Sequence, residues 1–290
     1  MDTLLQLLVS GTAMGFIYCL VAIEYTLIFN TSGLMNFGHD KYVMFGAYVF
    51  AGTFVLALGA RPAMGLLGTL AIMAFLGTVI AIVVFNPLRH LPRLYSVMGT
   101  MALSMMLREL ARFIWGPMPF TLPEFLGGII TIGTATLPKV YLYIIGTSVI
   151  LLVLQNLLLT KTKVGKAMRA IAQDKQTASL MGINVSLLMT FTVVLSIMIC
   201  GIIGILLIPL LGVNMQMSVT VGAKGFVAGV VGGFGSLNGA IVGGLFVGIL
   251  ESLYLAFGPA IYKDVVAFVL IILFLLVKPQ GILGGKRGLM

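Results

Sequence analysis

Long apolar runs, each bounded by a short polar segment, follow one another along this sequence almost from its start to about residue 277. A helix needs about 20 apolar residues to cross the hydrocarbon core of a bilayer, and most of these runs approach or exceed that length. Hydrophobic residues make up 60% of the chain and charged residues 9%, too little polar surface for a water-soluble domain. We therefore expect an all-α polytopic membrane protein with about eight transmembrane helices. The expected apolar segments lie at about 4–29, 42–58, 64–85, 96–115, 140–159, 186–211, 245–257 and 265–277.

Two stretches interrupt this apolar pattern at corresponding places. Asn30–Lys41 follows the first span, and a glycine-rich region at 213–244, with the dense cluster Gly232–Ser236, follows the span that begins near residue 186. Irregular backbone at membrane depth is tolerated only where protein buries it or a cavity wets it, and paired interruptions are typical of a transport pathway. The pattern predicts broken or re-entrant segments and an inverted internal repeat. The predicted parts of a single 1–290 transmembrane domain are a first half at 1–159, a loop at 160–185 and a second half at 186–290.

Glycines recur at every fourth position in the second half of the chain. Such spacing lets helices approach closely in lipid, where packing drives helix association. We expect most of these glycines to form helix-packing faces, and the Gly232–Ser236 cluster to interrupt a helix instead. The spaced glycines are Gly225, Gly229, Gly233, Gly235, Gly239, Gly243, Gly244 and Gly248.

Polar side chains inside apolar spans are costly to bury, which makes them candidates for function. For Asn36 and His39 the alternative role is helix capping or a hydrogen bond between helices. For Glu24 and Lys41, which have opposite charges near the same interruption, the alternative is a mutual ion pair. The candidates are Glu24, Asn36, His39, Asp40, Lys41 and Lys224.

The longest polar run is Thr160–Asn184, which contains five cations and the single acid Asp174. Good helix formers with apolar residues at helical spacing predict one short amphipathic helix over 164–180, which Gly182 ends. On charge alone, this segment is either a solvated basic loop or a docking helix for a soluble partner. A threonine-rich piece at 129–136 is expected to form a small hairpin.

The net charge of +9 is spread over positions that flank the spans, so it indicates membrane topology rather than nucleic-acid binding. Basic residues near 86–95, in 160–185 and after Lys278 predict that these segments are cytoplasmic, that the N-terminus is outside and that the C-terminus is cytoplasmic. The sequence shows no P-loop, and we expect no cleavable signal peptide. It also has no paired carboxylates or histidine cluster at one depth, which disfavours a membrane enzyme. Cys19 and Cys200, both in apolar spans, are expected to be free thiols.

Several collinear motifs resemble the permeases of branched-chain amino acid ABC transporters, and most closely the shorter of their two permease subunits. The similarity extends over nearly the whole chain. The motifs are Ile17–Ala22, Gly33–His39, Met44–Tyr48, Gly165–Ala170, Asp174–Asn184, Lys224–Phe226, Gly232–Ser236, Tyr262–Val266 and Pro279–Gly284.

The resemblance implies a non-enzymatic transport subunit of a bacterial cytoplasmic (inner) membrane, which imports branched-chain or other hydrophobic amino acids. The implied partners are a second permease, identical or different, two ABC ATPase subunits and a periplasmic or lipid-anchored binding protein. This chain would bind no cofactor or metal, because the ATPase subunits bind the ATP. The implied substrate pathway comprises Glu24, Asn36, His39, Asp40, Lys41, Lys224, Phe226, Gly233 and Ser236. The implied coupling helix, Gly165–Asn184, would meet an ATPase through Gly165, Arg169, Asp174, Ala178 and Gly182.

Two departures from the family pattern leave the substrate open. The triplet His39-Asp40-Lys41 stands where the family usually has His-Gly-Glu or His-Gly-Asp, and Glu24 stands where glycine is usual. Importers of this family also move urea, amides and other amino acids, which are alternative substrates. An ion-coupled secondary transporter, with Glu24 and His39 as a proton relay, is the alternative from another class, but it leaves the docking helix without a role.

Overall fold

The structure, a computed structural model, describes residues 2–89, 91–122, 125–132 and 135–283. Most of this part of the chain is helical. A wide-turned π-helical segment, Val49–Ala57, continues α2, a second one, Ala81–Phe85, joins α3 to α4, and a 3₁₀ turn, Ala260–Tyr262, precedes the last helix. The helices are α1 (Asp2–Ser32), α2 (His39–Tyr48), α3 (Pro62–Ile80), α4 (Asn86–Leu88), α5 (Arg93–Trp115), α6 (Lys139–Lys161), α7 (Lys163–Gln173), α8 (Lys175–Leu180), α9 (Val185–Leu211), α10 (Val219–Gly232), α11 (Leu237–Phe257) and α12 (Lys263–Val277).

Within the described residues, five helical stretches are long and apolar enough to cross a membrane. The polytopic, all-α class predicted from the sequence is therefore confirmed, whereas the number eight is not. α10 is apolar but short, and α12 has 15 residues. The five stretches are Gln6–Ser32, Pro62–Leu88, Lys139–Lys161, Val185–Leu211 and Leu237–Phe257.

A small antiparallel hairpin precedes α6. It consists of β1 (Ile129–Ile132) and β2 (Ala135–Pro138), with Ile129 opposite Pro138 and Ile130 opposite Leu137. This confirms the hairpin predicted from the threonine-rich piece.

The chain divides into two compact units, and each of them draws on both halves of the sequence. Unit 1 comprises Met1–Thr26, Pro123–Leu151 and Val221–Met290, and unit 2 comprises Leu27–Leu122 and Leu152–Thr220. The division into sequential halves and the inverted repeat stay predictions.

In unit 2, α9 packs against both α2 and α3, and α2 also packs against α5. Gly46, Gly201 and Gly204 make the closest approach of α2 to α9: a Cβ on Gly204 would overlap the Val43 carbonyl oxygen, and a Cβ on Gly46 would overlap Gly201. Because lipid is as apolar as the side chains, close packing holds such helices together.

In unit 1, the first part of α1 packs against α10 and α11 through small residues. A Cβ on Gly244 would overlap the backbone of Cys19, one on Gly248 would overlap Gly15, and one on Gly225 would overlap the Val21 side chain. The packing role predicted for the spaced glycines is confirmed at these positions.

Three helix ends next to glycines interrupt the apolar elements. α1 ends at Ser32 before Gly33, with φ of 70°, and α9 ends at Leu211 before Gly212, with φ of 64°. Left-handed backbone at a helix C-terminus favours glycine, which explains both ends. A short, largely buried helix follows each of these two breaks, so the order long helix, break, short helix occurs twice. The third break, Gly233–Ser236, separates α10 from α11, as the glycine cluster predicted.

Candidate functional site

The basic segment 160–184 forms two helices rather than the single helix that the sequence predicted. α7 ends at Gln173 and α8 begins at Lys175, because Asp174 has an extended backbone and caps α8. The Asp174 carboxylate accepts hydrogen bonds from the backbone N–H groups of Gln176 (2.8 Å) and Thr177 (3.3 Å) and from the Thr177 hydroxyl (2.8 Å). A side-chain acceptor at this position satisfies the free N–H groups of a helix start, and this effect outweighs the helical propensity of the flanking residues. Gly182, with φ of 82°, ends the segment as predicted.

The same capping lowers the pKa of Asp174. The largest cause is the hydrogen bond from the Thr177 hydroxyl, followed by those from the backbone N–H groups of Thr177 and Gln176. All of these bonds favour the ionised carboxylate. Asp174 therefore keeps its negative charge to lower pH than an ordinary aspartate does.

The two helices have a buried face and an exposed face. Gly165, Met168, Ile171 and Ala178 are buried, and a Cβ on Gly165 would overlap the backbone of Leu159 in α6. Of the residues assigned to ATPase contact, Gly165 and Ala178 thus pack the segment against its own chain, whereas Arg169, Asp174 and Gly182 lie on the exposed side. The exposed side also presents Lys163, Lys166, Leu180 and Met181, the last two 87% and 79% exposed.

Lys175, which the sequence did not single out, connects this segment to the end of α1. Its ammonium donates a hydrogen bond to the backbone carbonyl of Ser32, directly before the break at Gly33. Partial burial lowers the pKa of Lys175, and the nearby positive charge of Arg89 lowers it further. No local sequence pattern identifies this contact, since its two partners lie 143 residues apart.

The break between α1 and α2 is itself a buried polar site within unit 2. The Asn36 carboxamide oxygen accepts from the N–H of Gly38 (2.9 Å), and its amide group donates to the Tyr42 hydroxyl (3.4 Å). Asn36 therefore stabilises the turn that leads into α2. The ring of His39 lies edge-to-face with that of Tyr42, and its Nδ1 is 4.0 Å from Sγ of Cys200 in α9.

The two charges that follow His39 form an ion pair with each other. The Lys41 ammonium lies 2.8 Å from the Asp40 carboxylate, and both side chains are largely buried. This pair balances the charge of Lys41 within unit 2, and the pair of Lys41 with Glu24 stays a prediction. Glu24 lies in the part of α1 that belongs to unit 1 and is fully buried.

Lys224 is the buried centre of an ionic cluster in unit 1, whose outer members Asp264 and Lys263 are partly exposed. Its ammonium is 2.7 Å from the carboxylate of Glu251 in α11 and 2.6 Å from that of Asp264 in α12. Glu251 also accepts a hydrogen bond from the Tyr18 hydroxyl (2.8 Å) and lies 3.6 Å from the Lys263 ammonium. The cluster connects α1, α10, α11 and α12. The sequence analysis did not name Glu251 as a candidate, although an acidic residue within an apolar helix indicates a functional or structural polar site.

The remaining predicted pathway residues lie at the break between α10 and α11. Phe226 contacts the ring of Tyr25 edge-to-face at 5.5 Å and that of Phe234 at 5.7 Å. Ser236 caps α11 by accepting from the N–H of Gly239 (3.1 Å), and Gly233 has φ of 103°. The candidates thus form two groups, each within its own unit: Asn36, His39, Asp40 and Lys41 in unit 2, and Glu24, Lys224, Phe226, Gly233 and Ser236 in unit 1.

No group of three or more histidine, cysteine, aspartate or glutamate residues is placed to hold a metal ion in the part of the chain that the structure describes. Cys19 and Cys200 are buried free thiols, as predicted.

Comparison with known proteins gives a consistent result. The family described as the permease component of branched-chain amino acid transport systems matches residues 7–275. The high-affinity branched-chain amino acid transport system permease protein LivH of Escherichia coli is 32% identical over 293 residues, which cover 97% of this chain and 95% of that protein. The corresponding permease protein BraD of Pseudomonas aeruginosa is 33% identical over 297 residues, with the same coverage of 97% and 95%.

A solved structure supports the fold. A chain of PsaBC from Streptococcus pneumoniae, determined in complex with Fab, superimposes with a TM-score of 0.51 and 12% sequence identity, over 96% of this chain and 91% of that chain. Such low identity is evidence for the fold alone. The family match over most of the chain and the two full-length relatives, together with the membrane helices above, establish that this chain belongs to the family of branched-chain amino acid transport permeases.

Proposed function

We propose that this chain is the permease subunit of an ATP-driven importer that moves branched-chain or other hydrophobic amino acids, delivered by a binding protein. Family membership supports the transport class. The observation that carries the proposal is the exposed basic surface of α7 and α8 together with the Lys175–Ser32 hydrogen bond. A partner that docks on this surface acts, through that bond, on the break between α1 and α2. A secondary transporter has no use for such a connection.

The proposal includes partners that the chain requires but does not contain. Two ATPase subunits bind and hydrolyse ATP, one of them against Arg169 and the neighbouring exposed residues, while this chain binds no nucleotide. A second permease, identical or different, completes the pore, and a periplasmic or lipid-anchored protein delivers the substrate. The chain resides in the bacterial cytoplasmic membrane with its N-terminus outside and its C-terminus in the cytoplasm, as the distribution of basic residues predicts.

The substrate pathway in this proposal includes the two breaks described above. In unit 2 it is lined near Asn36, His39 and the Asp40–Lys41 pair, and in unit 1 near Phe226 and Ser236. Largely apolar walls with a few fixed polar groups suit a substrate that another protein has already selected.

Family membership favours branched-chain substrates over urea or amides, and Asp40 neutralises Lys41 locally. The unusual triplet therefore adds no net charge to the pathway. The fully buried carboxylate of Glu24, where the family usually has glycine, is the observation that favours the alternative substrates.

The first experiment is purification of the tagged chain from its own membranes in mild detergent. Copurification of an ABC ATPase is expected, and its absence, together with uptake driven by an ion gradient, would refute the proposal. In reconstituted vesicles, ATP-dependent uptake of labelled leucine is expected, with urea and acetamide as the alternative substrates. Uptake of urea but not of leucine would agree with an ATP-driven importer and would refute the proposed substrate class.

The docking surface is tested separately. Arg169→Ala and the double variant Leu180→Ser/Met181→Ser are expected to release the ATPase during purification. These side chains are exposed, so loss of ATPase without loss of the folded permease identifies the interface. If both variants retain a normal amount of ATPase, the interface has been placed wrongly.

A further inference from the structure

An open pocket of about 720 Å³ lies in unit 2 where the ends of several helices meet. It lies beside the end of α1, the turn after α4, the helix α8 and the first turns of α9. Its polar lining residues are Thr31, Ser32, Arg89, Lys175, Gln176 and Ser179, and its apolar ones are Leu180, Val185 and Met189.

The charged residues described in the pocket lining are all of one sign. Arg89 and Lys175 contribute two cations, and no aspartate or glutamate is among the described lining residues. Arg89 is half-buried, and the two cations are close enough for Arg89 to lower the pKa of Lys175. Lys175 uses one of its three donors on the Ser32 carbonyl, which leaves two for another acceptor. Two like charges held together in this way are stabilised by an anion between them.

The position of the pocket indicates where that anion comes from. Three membrane-spanning stretches end at its rim: Gln6–Ser32, Pro62–Leu88 just before Arg89, and Val185–Leu211. The pocket is therefore at the level where a span passes from the hydrocarbon core to the polar boundary. Exposed apolar side chains, among them Ile82, Val83 and Leu187, follow the same helices toward the bilayer. Basic pockets between helices at this level suit phospholipid head groups.

We propose that this pocket binds a phosphate group, held between Arg89 and Lys175. Arginine offers two parallel donors to phosphate oxygens and lysine adds a point charge, while Gln176 and Ser179 supply a neutral amide and hydroxyl. The phosphate belongs either to an anionic phospholipid or to a soluble phosphate. In the former case, acyl chains extend along the exposed apolar side chains of α3 and α9. The described lining includes none of the proposed pathway residues, whereas its Leu180 also belongs to the proposed ATPase surface.

The test uses the intact protein, purified in neutral detergent and relipidated with zwitterionic lipid only. Native mass spectrometry counts the phosphatidylglycerol or cardiolipin molecules that stay bound after titration, and a parallel titration uses inorganic phosphate. The variants are Arg89→Gln, which keeps the Lys175–Ser32 bond, and Arg89→Gln/Lys175→Gln. The control is Lys163→Gln/Lys166→Gln, which removes the same charge from exposed positions of α7.

The wild type and the control are expected to bind one anionic lipid, or phosphate, that the double variant lacks. Loss of one charge-assisted contact in Arg89→Gln should weaken binding roughly tenfold. Saturation by inorganic phosphate without retention of lipid identifies a soluble ligand, and the reverse identifies a lipid. Equal binding by the wild type and by a folded Arg89→Gln variant would overturn the proposal, as would binding of leucine alone. Because neither ATP nor transport is measured, this result does not depend on the proposed function.

Discussion

Lys175 joins the polar segment α7–α8 to the carbonyl of Ser32, at the last residue of a membrane-spanning helix. Lys175→Gln shortens the side chain and removes the charge, so the carbonyl loses its donor. We expect ATP-dependent uptake to fall roughly tenfold, the effect of one charge-assisted hydrogen bond, while the ATPase still copurifies. Lys161→Gln, which removes an exposed charge from the same region, should keep normal uptake. If the ATPase is lost together with uptake, Lys175 contributes to ATPase binding rather than to the connection between the ATPase and the break after α1.

Asp174 gives a second prediction, in which the sign of the pH dependence follows from its lowered pKa. Because the folded-state pKa lies below the unfolded value, the cap stabilises α8 fully above the unfolded pKa and is lost as the pH falls through the folded one. Asp174→Asn retains a capping oxygen and should abolish this pH dependence. Asp174→Ala should leave the amides of α8 roughly fivefold less protected at neutral pH.

Hydrogen–deuterium exchange over α8 at pH 6 and pH 3, corrected for intrinsic exchange rates, measures both effects. Equal protection of the wild type and Asp174→Ala at pH 6 would show that the cap does not hold α8.

The ionic cluster around Lys224 allows a structural role to be separated from a role in transport. Lys224→Met leaves the negative charge of buried Glu251 with less compensation by positive charge. It should lower the free energy of unfolding by about 3–5 kcal/mol, which is measured as a lower melting temperature in detergent. Lys224→Met/Glu251→Leu removes both charges and should recover most of that loss. A double variant that is stable and transports leucine normally identifies a structural cluster, whereas a stable one that does not transport places the cluster in the pathway. A double variant less stable than the single one contradicts the pairing.

At the scale of elements, glycine contacts set how closely the helices pack. Gly204 lies against the backbone of α2. Gly204→Ala therefore forces α2 and α9 apart and should lower the free energy of unfolding by about 1–3 kcal/mol. Gly146, in the helix α6, has none of the described atoms outside its own stretch of helix within 4 Å of the position of an added Cβ. Gly146→Ala is thus the matched control and should be neutral or stabilising by up to about 1 kcal/mol. Thermal unfolding in detergent compares the two. Equal melting temperatures would show that α2 and α9 have room to separate.

The elements also show where local sequence is a sufficient guide. Gly33, Gly212 and Gly233 have left-handed backbone, and helices end beside each of them. The hairpin at β1–β2 formed where predicted as well. The sequence analysis did not predict the division of 164–180 into α7 and α8. The reason is that the single capping residue Asp174 outweighs the helix propensity of the surrounding residues. These outcomes have a common reason: helix ends depend on a few neighbouring residues.

At the scale of the whole molecule, basic residues predict the topology. A single cysteine in place of Lys163 should react with a membrane-impermeant maleimide only after the membrane is disrupted so that the reagent reaches the cytoplasmic side. A cysteine in place of Ile129, 66% exposed in the hairpin, should react in intact spheroplasts. The native Cys19 and Cys200 are buried and give little background. Labelling of both positions from the same side would refute the predicted orientation, because the spanning helix α6 lies between them.

The sequence by itself determined that this chain is a polytopic helical membrane protein of the branched-chain amino acid permease family. It also located the break after α1, the break between α10 and α11, and the glycine contacts of unit 1. The family follows from the resemblance of collinear motifs. The helical class and the breaks depend on the length of apolar runs relative to a bilayer and on local backbone preference, and both can be read one segment at a time. Only the tertiary structure decided which polar groups meet: Lys175 with Ser32, Lys41 with Asp40, and Lys224 with Glu251 and Asp264. A buried charge accepts any suitably placed partner, and the packing of distant helices decides which partner that is.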